Sequence, residues 1–133
     1  MSGKGPVVIV YGLPNDISRK EIEELYEALV VAFLEIKELY LKRDQVIFFF
    51  PSDRMMMGLG DEIIIFVRGL FGTWAVTEEI RDLLAQKLGR AARPFFPEAD
   101  LVRCYVELFN PEHGFWSSKR EAAQEQQKES VAG

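Results

Sequence analysis

Two strand-helix-strand units, repeated along one short chain, predict an α/β (α+β) domain in which four strands form one mixed sheet with two helices on one face. Three observations carry this: four β-rich runs, two capped amphipathic helices between them, and a near-constant offset between the halves. Val7 to Leu13 (VVIVYGL) matches Ile64 to Leu70 (IIFVRGL) 57 residues on, the cap residues Ser18 and Thr77 are 59 apart, and Val46 and Val102 are 56 apart. An offset that holds through strand, helix and strand points to duplication.

The first unit opens with Val7 to Tyr11, an apolar β-branched run closed by the turn residues Gly12-Leu13-Pro14-Asn15-Asp16. From Ser18 the spacing becomes helical. Ile22, Leu25, Tyr26, Leu29, Ala32, Phe33 and Ile36 share one side, Ser18 and Glu21 fit a capping box, and the pattern predicts a helix from about residue 18 to about residue 40. Gln45 to Phe50 reads as a second strand stopped by Pro51, and a helix between it and the first strand predicts parallel pairing.

The second unit follows a methionine-containing loop, Arg54 to Gly60. Ile63 to Val67 is its first strand, Gly69 to Val76 a loop, and Thr77 the cap of a helix with Glu78 and Glu79 at the positive end of its dipole. Pro94 and Pro97 end that helix. Leu101 to Phe109 alternates, with Val102, Cys104, Val106 and Leu108 on one face and Arg103, Tyr105, Glu107 and Phe109 on the other. Three segments result: a leader at 1–5, native or an expression scar; a domain at 6–118; and a polar tail at 119–133, read as a frayed helix or disordered.

With 133 residues, 48% hydrophobic and 28% charged, the chain has room for a single core. A net charge of -5 with no Lys/Arg cluster opposes nucleic-acid binding. One cysteine, Cys104, forms no internal disulfide, and with a lone His113 it supplies no dedicated zinc site, so no cofactor or metal is expected. Without a secretory pattern or a long apolar segment, the expected location is the cytoplasm, with no membrane partner.

Element order alone fits both a ferredoxin-like sandwich and a second fold of the same layers. The loops favour the second. Pro51-Ser52-Asp53-Arg54-Met55-Met56-Met57-Gly58-Leu59-Gly60 resembles the loop after the second strand in the migration inhibitory factor branch of the tautomerase superfamily, and Asp100 to Trp116 resembles that branch's last strand and its Gly/Trp return. Pro6 stands where the superfamily places its catalytic proline. The resemblance covers roughly residues 6 to 118.

That resemblance implies a homotrimer acting on a small carboxylate, an enol or α-keto acid, with a proline amine as base for keto-enol proton transfer. Here Gly5 precedes Pro6, so its nitrogen is an amide and has no basicity; the chemistry needs Pro6 exposed as the first residue. Without that, the alternative is a non-catalytic oligomeric interaction protein of tautomerase-like or ferredoxin-like fold. The resemblance also assigns Arg103 and Tyr105 to substrate contact at a subunit boundary, Arg103 holding a carboxylate and Tyr105 an enolate oxygen. Against this stands an ion pair of Arg103 with Glu107 or a neighbour.

Arg68, after the third strand, adds positive charge or is simply solvated, and Phe115 and Trp116 resemble an aromatic pocket closure or subunit packing. Met55, Met56 and Met57 read as a gap filler, Cys104 as a core residue, and Asp44 as the one acid considered for water activation. The decarboxylase and dehalogenase branches carry arginines before the second helix. In Phe71-Gly72-Thr73-Trp74-Ala75-Val76 there is no charge, which disfavours those reactions. Phe48, Phe50, Tyr105 and Phe109 are expected to make the sheet's second face apolar and so to drive assembly.

Overall fold

The computed structural model describes residues 5–52, 61–71, 76–110, 113–114 and 116–132, with the backbone alone for Phe71, Arg120 and 127–132. Its sheet has the order β2-β1-β3-β4, where β1 is Val7–Tyr11, β2 Ile47–Phe49, β3 Glu62–Phe71 and β4 Leu101–Phe109. β1 runs parallel to β2 and antiparallel to β3, and β3 runs parallel to β4. Two β-α-β units therefore meet along β1 and β3, as the duplication requires.

Helices α1 (Arg19–Leu34) and α2 (Glu78–Ala92) start where side chains cap them. The Glu21 amide donates to Ser18 Oγ at 3.1 Å while the Ser18 amide donates to Glu21 at 3.4 Å, and the Ile80 amide donates to Thr77 Oγ1 at 3.2 Å. Their apolar stripes cover one face of the sheet: Leu25, Leu29, Phe33, Leu84 and Leu88 form one core with Val8, Val10, Ile65 and Val67. No helix is long and apolar enough to cross a membrane among the described residues.

The repeat is visible in the backbone. Gly12 and Gly69 occupy equivalent places in the two units, and both have positive φ, 91° and 77°. A Cβ on Gly12 would overlap the Glu62 carbonyl oxygen, and one on Gly69 would lie 3.9 Å from Pro6 Cα. Each glycine thus closes over the start of the other unit's first strand. At Gly69 the β3–β4 register also shifts between Val67 and Leu70, a bulge that keeps Leu70 in the core at 5% exposure.

Three expectations need correction. First, α1 ends at Leu34, short of residue 40: Ile36 leaves helical geometry (φ -89°, ψ 88°) while remaining buried, and two 3-10 turns follow, at Lys37–Leu39 and Arg43–Gln45. The second turn is tied back to α1 by Arg43, which donates twice to the Glu27 carboxylate at 2.8 Å and holds that carboxyl below its usual range. Second, β3 continues past Val67 to Phe71, through part of the expected loop.

Third, Phe48 and Phe50 belong to the helix side. Phe48 pairs with the core residue Val8 and meets Tyr26 edge-on at 5.2 Å, so Ile47 and Phe49 take the open face instead. The tail forms α3 (Ser118–Ala132), whose described side chains are exposed.

Candidate functional site

Pro6 sits at the head of β1 with its side chain fully buried, and its carbonyl accepts from the Ile47 amide at 3.1 Å. The preceding Gly5 is fitted as tightly: a Cβ there would overlap the Gln45 carbonyl oxygen. In the chain as it stands the Pro6 nitrogen is acylated and enclosed. Asp44, one residue before Gln45, is exposed on its 3-10 turn.

Arg68 lies level with Val7, on the open face beside the start of β1. Its guanidinium rests over the Phe66 ring at 4.6 Å, and Nε is 3.7 Å from the Glu107 carboxylate. Both partners are half-exposed, so the pair contributes little to stability; together with Phe66 it holds the guanidinium on the open face.

Arg103 and Tyr105 form a second group. Arg103 Nη1 donates to Tyr105 Oη at 3.1 Å and Nη2 donates to Glu62 at 3.1 Å, while its buried Nε has no hydrogen-bond partner among the described residues. Tyr105 stacks on Phe66 at 5.3 Å, and Tyr11 meets Phe66 edge-on at 5.8 Å. The ion-pair partner of Arg103 is thus Glu62, and Glu107 serves Arg68. Sequence reasoning missed Glu62; its shared parity with Ile64 and Phe66 was the available signal.

The two groups do not converge within one chain. Arg103 pairs with Ile64, which pairs with Tyr11, five residues along β1 from Pro6. At about 3.3 Å per residue this is roughly 16 Å along the strands, with two inter-strand steps of about 4.8 Å across them. Between the groups, Phe49, Ile9, Phe66 and Tyr105 form one row through all four strands, with Phe49 54% and Tyr105 43% exposed.

Trp116 is 70% exposed and donates from Nε1 to Glu121 at 2.6 Å. Phe115, Met55, Met56, Met57 and residues 72–75 lie outside the described residues. Cys104 packs with the core, and burial pushes its thiol up to about 12, which leaves it protonated and inert at neutral pH. Among the described residues no group of three His, Cys, Asp or Glu side chains could hold a metal ion.

No protein-family model and no curated protein matches the chain in sequence. Solved structures do match in shape. A malonate semialdehyde decarboxylase, FG41, inhibited by 3-bromopropiolate is 16% identical with a TM-score of 0.57, covering 90% of this chain and 96% of its own. A fused 4-OT asymmetric trimer, F6, is 12% identical at TM-score 0.63, covering 86% and 98%. The macrophage migration inhibitory factor of Toxoplasma gondii is 12% identical at TM-score 0.56, covering 86% and 96%.

The chain has the tautomerase-superfamily fold. This resolves the choice that element order left open. It also gives the tautomerase fold's duplicated architecture a direct reading here: Pro6 heads the first unit, and the corresponding place in the second unit, 57 residues on, is Ile63.

Proposed function

We propose that this chain is a cytoplasmic isomerase that moves a proton between carbon and oxygen of a small carboxylated enol or α-keto acid, with Pro6 as the base once its nitrogen is free. The observation that carries the reading is the setting of Pro6: fully buried at the head of β1, one strand from Arg68. An apolar enclosure disfavours an ammonium, so a freed proline amine there would be neutral near pH 7 and able to take a carbon-bound proton.

The substrate carboxylate would be held by Arg68 or by Arg103, with Tyr105 donating to the developing enolate oxygen and Phe115 and Trp116 closing the pocket. Because Arg103 and Tyr105 stand well away from Pro6 in one chain, they would serve the Pro6 of an adjacent copy. The uncovered apolar row supports assembly through that face, and the likeness to fused 4-OT trimers supports three copies.

A chain beginning at Pro6 should convert phenylpyruvate between keto and enol forms about 100- to 10,000-fold faster than the intact chain, the usual worth of a general base. Arg103→Ala in the trimmed chain should raise the Michaelis constant more than it lowers turnover. Equal, negligible activity in trimmed and intact proteins that are both folded trimers would overturn the reading. The second reading, a non-catalytic oligomeric protein, then stands. It is favoured by the fit of Gly5 against Gln45, which makes the acylated proline part of the fold.

A further inference from the structure

A cavity of about 430 Å³ lies at the other end of β1, where Gly12 closes over the start of β3. Its place follows from the duplication. As Gly69 lies beside Pro6, so Gly12 lies beside Glu62 and Ile63, and the cavity is therefore the internal counterpart of the Pro6 end.

Its lining is apolar at depth, with Leu13 at 7%, Ile63 at 2% and Phe96 at 6% exposure. Three acidic residues contribute to the same lining, Asp61, Glu62 and Glu98, and no lysine or arginine does. Glu62 is offset by Arg103 at 3.1 Å. Asp61 and Glu98 are exposed and make no ion pair among the described residues; the cation beside this wall, Arg93, donates to the Ala99 carbonyl at 2.8 Å and lines a separate groove.

We propose that this cavity binds a cation carried on an apolar stem, an ammonium or guanidinium group whose hydrocarbon part sits against Leu13, Ile63 and Phe96 while its charge meets Asp61 and Glu98. Two unpaired carboxylates beside an apolar floor favour such a group over a neutral molecule of the same shape, and they repel the carboxylates proposed for the Pro6 end. The two ends of the duplicated fold thus select opposite charges. This site needs neither a free Pro6 nor a second copy.

The experiment is titration of the isotopically labelled intact chain with 2-phenylethylammonium, following the amide resonances of Gly12, Ile63 and Ala99. The neutral 2-phenylethanol, the anion 3-phenylpropionate and a blocked glycyl-lysyl-glycine peptide serve as separate arms. The expected result is saturable shifts at those amides, with the amine bound at least about tenfold more tightly than the alcohol, the worth of one charge-assisted hydrogen bond.

Binding of the amine but not the peptide assigns the site to small molecules, and binding of the peptide assigns it to a lysine of a partner protein. The double variant Asp61→Asn, Glu98→Gln alters exposed side chains only, so it should fold as the parent does and lose that preference. Equal affinity for amine and alcohol, retained preference in the double variant, or no shift with either cation would overturn the proposal.

Discussion

Phe49→Lys should separate folding from assembly. Phe49 lies on the open face of β2, 54% exposed, next to Ile9 in the row that crosses the sheet. About half of a phenylalanine's surface is roughly 110 Å², and seating it against a neighbouring copy is worth about 3 kcal/mol per chain at 25 cal/mol per Å². A lysine forfeits that and places three like charges at the contact. Within the chain it removes no core contact, and lysine is well tolerated on an edge strand. Sedimentation velocity should find the parent near 46 kDa, three times the 15.2 kDa chain, and the variant as a monomer with unchanged far-ultraviolet circular dichroism. A parent that sediments as a monomer, or a variant that remains a trimer, would refute the assignment of this face.

Other outcomes follow from the core and the glycines. Leu29→Ala, at a fully buried position, should cost about 2–5 kcal/mol in urea denaturation. Gly12→Ala should cost at least about 1–3 kcal/mol because φ is 91° and the new Cβ meets the Glu62 carbonyl, whereas Gly89→Ala, with open space above α2, should stabilise by about 0.5–1 kcal/mol. With the Cys104 thiol raised from 9.0 to about 12, the unfolded chain loses its proton first; stability should therefore fall as pH rises from 9.0 towards 12, and a Cys104→Ala variant should show less of that fall. Alkylation of Cys104 at pH 8 should be slow in the folded protein and fast in denaturant.

Legibility in the sequence tracked how strictly a side-chain pattern encodes its own geometry. β4 was readable to the residue because Leu101 to Phe109 alternates without a break. The end of α1 was not, since Ile36 falls on the same stripe as Leu29 and Phe33 and is buried whether or not the helix continues. Phe48, Phe49 and Phe50 give no alternation at all, so their faces come from the pairing of Val8 with Phe48, which is tertiary information. The contact of Arg103 with Glu62 spans 41 residues and depends on the β3–β4 register, which no local pattern carries. By contrast the repeat aligned Gly12 with Gly69 in sequence, and the structure gives both a positive φ, an equivalence of backbone that the alignment alone did not state.

The register also decides how chemistry and assembly relate. Pro6 and Arg68 share one end of the β1–β3 ladder, and Arg103 shares the other end with Tyr11. Both ends lie on one rigid sheet whose central strands are buried on the helix side, so no hinge within the chain can bring them together. A substrate small enough to be held by a single carboxylate contact cannot span them. On the proposed function, either Arg68 alone would provide the charge at Pro6, or Arg103 would do so from another copy, with the Phe49-Ile9-Phe66-Tyr105 row as the contact between copies. The Arg103→Ala kinetics discriminate between these arrangements: an unchanged Michaelis constant assigns the carboxylate to Arg68, and a raised one requires that the pocket be built from two chains.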